Sequence, residues 1–458
     1  MEKGEQGALY LRQLALDHVW IPLRPWNVMT APGGFSIFTE GKGCHLTDIS
    51  GKTYLDYWSG IMLSNVGYGR KEIADAAYEQ MLKLHFPPTH ELTVPKIKLA
   101  KKLAEITPGD LSRVLFGNSG TESIESALKI ARKYQRLSGS TGRYKFIGGN
   151  NYHGSTFGSM ALGWRGPNFT WEDFEPLLPR VIHVPRPYCS MCELGLQYPG
   201  CDLQCAKQVE TVIRSEIPET IAAFVDVPVP FVGFIPPPEY WPLVRSMCDK
   251  YGILLILDEV QSGFGRTGKM FAIEHWNVAP DIMVIAKALA GGYAPISAAI
   301  VTKKVAQKFE GGPEEVLRHS YTFEGHPVAC AAALANIEII EKEKLVENSK
   351  VMGNYLYEQL QSLAKFRIVG EIRGGLGLMC NVELVKDKET QTQFSPEENA
   401  RVRRMLKTKL MEAGLYGMFT NPIPIMPALI VCKDEIDEIV STLGNVIGEI
   451  ESELLHTY

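Results

Sequence analysis

The chain has 458 residues, 45% of them hydrophobic and 22% charged, with a formal net charge of −5. That composition is ordinary for a folded globular protein large enough for two domains, and the small negative charge excludes bulk attraction to nucleic acid or an anionic membrane. No apolar run approaches the roughly 20 residues of a membrane-spanning helix, and the opening MEKGEQGALYLRQLALDHVW carries acids early without a secretion-signal core, so the cytoplasm is the expected compartment.

Residues 1–30 predict a helix followed by a proline-rich stretch from Ile21-Pro22 to Pro25. Between Phe35 and Trp58 the pattern predicts a small β-meander, with turn signals at Glu40-Gly41-Lys42-Gly43 and Ser50-Gly51-Lys52. From about 70 to 330, helical patterns alternate with short apolar strands: Val114–Phe116, Tyr144–Ile147, Ala222–Val225, Ile253–Leu257, Ile282–Ile285 and Ala298–Val301. That alternation predicts an α/β fold, a mostly parallel sheet with helices on both faces. Within it, Cys189-x2-Cys192-x8-Cys201-x3-Cys205 has the ligand type of a structural zinc site. Its central spacing is short, its surroundings contain Pro and Gly, and the total of nine cysteines is odd, so reduced thiols and no metal are expected. After Pro327 a long helix is predicted over Ala329–Glu343, then strands near Gly377–Glu383 and Ala428–Val431, and a last helix from about Asp434. The expected division is 1–69 as part of a small domain, 70–330 as a large domain and 331–458 as the rest of the small α+β domain. A cleft between them is where ligands favour binding.

Two charged residues are notable for their positions. The apolar run from Gly252 to Leu257 delivers Asp258 to its end, and the run from Ile282 to Ala286 delivers Lys287 to its own end 29 residues later. Pyridoxal phosphate uses both groups, a lysine amine for its Schiff base and a carboxylate against its pyridinium nitrogen. Phe116-Gly117-Asn118-Ser119-Gly120-Thr121-Glu122-Ser123 follows a predicted strand and opens a helix with Ile124, Ala127, Leu128 and Ala131 on one face. Small residues, hydroxyls and free backbone N–H groups at a helix start make a phosphate cradle. Tyr152-His153-Gly154 places an aromatic where it can stack on a planar cofactor. In the stretch from His319 to Pro327, Thr322 offers a hydroxyl to a phosphate. Each piece alone has an ordinary structural explanation, such as a solvated strand-end charge or a helix capped by Ser119 or Thr121. The weight lies in the ordered set.

That set resembles the class III (subgroup II) pyridoxal-phosphate aminotransferases of fold type I, from about Thr30 to the last helix. GNSGTESIESALKIAR is similar to the family's phosphate loop and YHG to its ring-stacking motif. DEVQSGFGRTG with APDI and AKALAGG is similar to its signature, and SYTFEGHPVACAAALA to its intersubunit phosphate motif. The resemblance implies pyridoxal 5′-phosphate as cofactor and a large domain built on a seven-stranded type of sheet. It implies Lys287 as the catalytic lysine, Asp258 at the pyridinium nitrogen, and Ser119, Gly120 and Thr121 at the phosphate. Tyr152, with His153 beside it, would stack on one ring face and Val260 on the other, and Gln261 would approach the ring hydroxyl. Thr322 would reach the phosphate of a neighbouring subunit, which implies a homodimer with shared sites, open to pairing into a tetramer.

The segment from Tyr57 to Gly69 is similar to the substrate-pocket segment of ω-aminotransferases that use pyruvate, with Trp58, Met62 and, further on, Phe86 as pocket residues. The family commonly carries an arginine before a C-terminal Pro-Pro-Leu for the substrate carboxylate. Here the matching stretch runs from Thr420 to Leu429 with Pro424 at that position, and no arginine lies between Leu410 and Lys433. Arg165 and Arg373 are the remaining candidates for carboxylate capture. The expected function is therefore an amine or ω-amino acid to keto acid aminotransferase. The alternatives on the same fold are a decarboxylating aminotransferase and an amino-acid racemase or epimerase, because Lys287 serves all three chemistries.

Overall fold

The strand Leu254–Asp258 is apolar until its last residue and buried throughout. Such a strand has no solvent-facing side and needs neighbours on both edges and both faces. The computed structural model, which describes residues 5–31, 33–88, 90–149, 154–163, 171–230 and 232–455, supplies them. Seven strands form the central sheet: β1 Leu111–Gly117, β2 Lys145–Gly148, β3 Val181–His183, β4 Ile221–Asp226, β5 Leu254–Asp258, β6 Ile282–Ile285 and β7 Ser297–Thr302. Their order is β1-β7-β6-β5-β4-β2-β3. The five strands from β3 to β6 are parallel, and β7 runs antiparallel to both β6 and β1. The mostly parallel α/β fold thus follows the predicted alternation, with β3 an added edge strand.

Side chains alternate across the sheet as strand geometry requires. Leu254 and Ile256 pack under Ile124, Ala127, Leu128 and Ala131 of the helix Gly120–Leu137. Leu255 and Leu257 join the opposite core with Leu99, Leu103, Trp241 and Ile337. The helical face read from the 120–137 pattern is therefore the face that is buried.

The predicted meander forms Phe38–Lys42, His45–Asp48 and Thr53–Asp56. Its last strand pairs in parallel with Leu415–Tyr416, so segments 360 residues apart share one sheet (Leu415 opposite Leu55). Val369–Arg373, Cys380–Leu384 and Ile423–Ile425 form a third, antiparallel sheet. Here one expectation is corrected. Ala428–Val431 is a turn, closed by the Val431 N–H on the Ala428 carbonyl at 3.1 Å, and the strand lies just before it at Ile423–Ile425. That strand tolerates Pro424 because it is an edge strand, where a missing N–H need not break a ladder on both sides. The last helix spans Lys433–Leu455. Among the described residues, no helix is long and apolar enough to cross a membrane.

Arg266 fastens these parts together. It is fully buried and donates to the carbonyls of Leu378 (3.0 Å) and Pro427 (2.6 Å), to Ser59 Oγ (3.1 Å) and to Asn65 Oδ1 (2.7 Å). Asn65 in turn donates to the Phe264 carbonyl at 3.0 Å. Burial lowers the guanidinium pKa to about 9, with the charge of Asp56 opposing. Arg266→Ala is expected to lower unfolding stability by about 3 kcal/mol or more, because it strands several interior acceptors at once. A denaturant midpoint shift worth less than about 1 kcal/mol would show the clamp to be dispensable.

Candidate active site

The carboxyl ends of β5 and β6 lie side by side, with Asp258 in register with Val284. Open α/β sheets bind ligands at this edge. Asp258 and Lys287 both line a cavity of about 620 Å³ there. The Asp258 carboxylate accepts the Val260 N–H at 2.8 Å. Burial pushes its pKa up to about 7, against the pull of that hydrogen bond and of the Lys287 charge. The Lys287 amine is buried, which drives its pKa down to about 8; Asp258 opposes this and Arg266 adds to it. The Lys287 Nζ has no hydrogen-bond partner, a costly state for a buried amine unless a bound group uses it.

The backbone at Lys287 is strained, with φ at 42° in the left-handed region. Asn336 holds the turn by donating to the Ala288 and Leu289 carbonyls at 2.8 and 3.1 Å. A Cβ at Gly291 would stand 2.5 Å from Asn336 Oδ1, and its φ is 60°, so glycine is required there on two counts. Glu259 turns away from the cavity and is a structural residue. It accepts from Ser262 Oγ (2.5 Å) and from the N–H groups of Ala272 (3.0 Å) and Ile273 (2.8 Å).

The opposite wall is the start of the helix Gly120–Leu137. Ser119 is its N-cap and accepts the Glu122 N–H at 3.3 Å. The first-turn N–H groups of Gly120 and Thr121 have no partner within the helix, and they stand at its positive end. A Cβ on Gly120 would come within 3.1 Å of the Val260 side chain, so glycine lets the two strand-end loops meet closely without displacing it. Thr121 Oγ1 accepts the Ser155 N–H at 3.2 Å. Glu125 accepts the Ser159 N–H at 3.0 Å and the Thr156 hydroxyl. These contacts fasten the segment after Tyr152 and His153 to the helix; Tyr152 and His153 themselves lie outside the described residues.

Ser119, Gly120, Thr121, Asp258, Val260, Gln261 and Lys287 thus line one cavity, and Leu63, Val227 and Ile296 are among the residues that join them without having been singled out in the sequence. Met62 is buried in the core, while the next residue, Leu63, faces the cavity. A single residue of register in an irregular turn, with Ser59, Gly60 and Met62 all at positive φ, decides which side chain does so. Trp58 packs half-buried against the core. Phe86 and Thr322 line a second cavity of about 220 Å³, where Phe86 meets Phe323 edge-on at 5.9 Å.

Of the two arginines considered for a carboxylate, Arg165 lies outside the described residues. Arg373 is committed elsewhere, pairing with Glu371 (2.7 Å) and Glu383 (2.6 Å) and donating to Tyr188 Oη (2.6 Å). Cys189, Cys192, Cys201 and Cys205 line one small cavity, and no group of three or more His, Cys, Asp or Glu among the described residues has metal-holding geometry.

The residues present fit pyridoxal phosphate. An unpartnered buried amine, a buried carboxylate and a glycine-built helix start converge on a cavity of suitable size. Comparison with known proteins gives the family. The family model described as Aminotransferase class-III matches residues 30–447. The taurine–pyruvate aminotransferase of Bilophila wadsworthia is 38% identical over 455 residues, covering 96% of this chain and 97% of the relative. The putrescine–pyruvate aminotransferase of Pseudomonas aeruginosa is 33% identical over 449 residues, covering 96% of each. The crystal structure of an (S)-enantioselective omega-transaminase from Thermomicrobium roseum superposes with a TM-score of 0.91 at 34% identity, covering 98% of this chain and 100% of that one.

The raised pKa of Asp258 sets a stability test. Its folded value of about 7 lies above the ordinary 3.8. The carboxyl therefore favours folding fully at low pH and loses that contribution as pH rises through 4 toward 7. Asp258→Asn removes this dependence. The cofactor-free variant is expected to gain on wild type in denaturant stability as pH rises from about 4 to about 7. A difference that stays flat over that range would show that Asp258 titrates as an exposed acid.

Proposed function

Because this chain belongs to the class-III aminotransferase family, we propose that it moves an amino group from an amine or ω-amino acid to a keto acid, with pyruvate as acceptor and pyridoxal 5′-phosphate as cofactor. Pyridoxal phosphate, when bound, supplies an electron-withdrawing ring that makes the C–H bond beside the donor nitrogen acidic. The chain supplies the rest. Lys287 Nζ, with its pKa drawn down to about 8, has a free-amine fraction near neutral pH, and it would take the proton from the donor carbon and deliver it to the cofactor carbon that carries the donor nitrogen. Asp258 would hold the charge opposite the ring nitrogen. Ser119, Gly120 and Thr121 would receive the phosphate, Val260 and Tyr152 with His153 would bound the ring faces, and Gln261 would meet the ring hydroxyl. The donor's carbonyl product leaves before the keto acid enters the same cavity, so the kinetics are ping-pong.

The donor class rests on the cavity's charge. Among the described residues that line it, Lys287 is the sole cation, and Leu63, Val227, Ala294, Pro295 and Ile296 give it apolar walls. No described guanidinium is placed to grip an α-carboxylate, so a donor with a terminal amine fits better than an α-amino acid. Two relatives carry pyruvate in their names, which supports that acceptor. Residues 70–330 would then be the cofactor-binding domain. The protein would act as a homodimer in which Thr322, exposed beside the second cavity, serves the partner's site. Large apolar side chains exposed around that cavity, Leu92, Val94 and Ile97, support an interface there. Nine free cysteines suit the reducing cytoplasm.

The visible spectrum tests this directly. Terminal amines without acceptor are expected to bleach the bound cofactor's absorbance, and pyruvate to restore it, with no carbon dioxide released. Bleaching by α-amino acids alone, or carbon dioxide release, would favour the racemase or decarboxylating chemistry. Lys287→Ala is expected to lose at least about 10³-fold in turnover, since it removes both the base and the cofactor's attachment; retention of most of the activity would end the assignment.

A further inference from the structure

Behind the helix start that lines the cavity lies a pair of buried hydroxyls. Ser123 and Ser297 are both fully buried. Ser123 Oγ donates to Ser297 Oγ at 2.6 Å, and Ser297 Oγ donates to the Ser119 carbonyl at 2.7 Å. Two interior hydroxyls at this density are costly unless both are satisfied, and here each finds its partner in the other or in the backbone. A hydroxyl has one proton. With Ser123 donating inward, the proton of Ser297 is directed onto Ser119, and each bond polarises the next.

We infer that Ser297, backed by Ser123, is a positioning residue for the anion cradle of this site. The Ser119 carbonyl and the Gly120 N–H belong to one planar trans peptide, so the two point in opposite directions. Ser297 holds the oxygen inside the protein, and the N–H is thereby aimed at the cavity that Gly120 lines. The same oxygen accepts the Ser123 N–H at 3.1 Å, which starts the helix, so its position also sets the axis of the first turn. Ser297 opens β7 opposite Gly117, the last residue of β1. A Cβ at Gly117 would stand 2.8 Å from Ser297 Oγ and 3.1 Å from Ser123 Oγ, so glycine there makes room for the pair. Pro295 and Ile296, just before Ser297, line the cavity's other side, so the hydroxyl also ties that wall to the cradle. The inference rests on the proposed function, in that it takes the anion to be the cofactor phosphate.

The test compares pyridoxal phosphate with pyridoxal, which shares the aldehyde and ring but lacks the phosphate. Cofactor-free wild type, Ser297→Ala and Ser123→Ala are each titrated with both compounds, reading bound-aldehyde absorbance and the shift in melting temperature. Ser297→Ala is expected to bind pyridoxal phosphate about tenfold more weakly, the worth of one well-placed hydrogen bond, with pyridoxal binding unchanged. Ser123→Ala is expected to lose about threefold on pyridoxal phosphate alone, and it keeps the test decisive if Ser297→Ala does not fold. Equal weakening of both compounds, or of neither, would overturn the positioning role. A wild type that binds neither compound would instead overturn the assignment of the cofactor, and this inference with it.

Discussion

A guanidinium buried without a carboxylate in contact is the constraint on which this structure turns. Arg266 lies eight residues after Asp258 and reaches the 59–65 turn, Leu378 and Pro427 with its donors. Its own carbonyl accepts from Ser349 Oγ and from the Leu378 N–H. A charge so buried is costly unless it is hydrogen-bonded; both terminal nitrogens of Arg266 find acceptors, only Nε lacks one, and the acceptors come from both ends of the chain. The loop that begins at Asp258 is thus fixed by segments that also carry Leu63 and the third sheet. Glycine makes the approach possible: a Cβ on Gly377 would stand 2.5 Å from the Arg266 carbonyl.

That rigidity supports a site that is locally unfavourable. Lys287 sits at positive φ with a buried, unpartnered amine, and Asp258 is a carboxylate held out of water. Neither arrangement would persist in a loose loop. Surrounding contacts impose them: Asn336 on the turn after Lys287, Glu259 on the turn after Asp258, and the clamp of Arg266 beyond. Stability from the periphery offsets strain at the centre, a common pattern at functional sites.

Much of this was legible in the sequence, for reasons visible at particular residues. Ile282–Ile285 reads as a strand from its bounds alone, because a short apolar run flanked by polar residues has few other uses in an alternating pattern. Ser119 reads as a cap because a hydroxyl before a helical face has a local job. Other positions were not legible. Nothing in the order of residues separates Met62 in the core from Leu63 on the cavity wall, since an irregular turn has no period to count. The turn at Ala428–Val431 has a strand-like composition, yet pairing falls to Ile423–Ile425, whose Pro424 argues locally against it. Arg373 is held by Glu371, two residues before it on the same strand, and by Glu383, a neighbour only through sheet pairing, so its sequence position does not show that it is occupied.

By itself, the sequence determined the α/β alternation, the strand ends that carry Asp258 and Lys287, and the family to which both belong. The first two depend on periodicity and spacing within short stretches of chain, and the family on the resemblance of short motifs. Only the tertiary structure decided which side chains share the cavity, that no described arginine lines it, and that a buried pair of serines stands behind the helix start. Those outcomes rest on contacts between residues far apart in the chain, such as Ser123 with Ser297 and Arg266 with Pro427. Hydrogen bonds of that kind leave no local pattern, because each partner is an ordinary residue until folding brings the other to it.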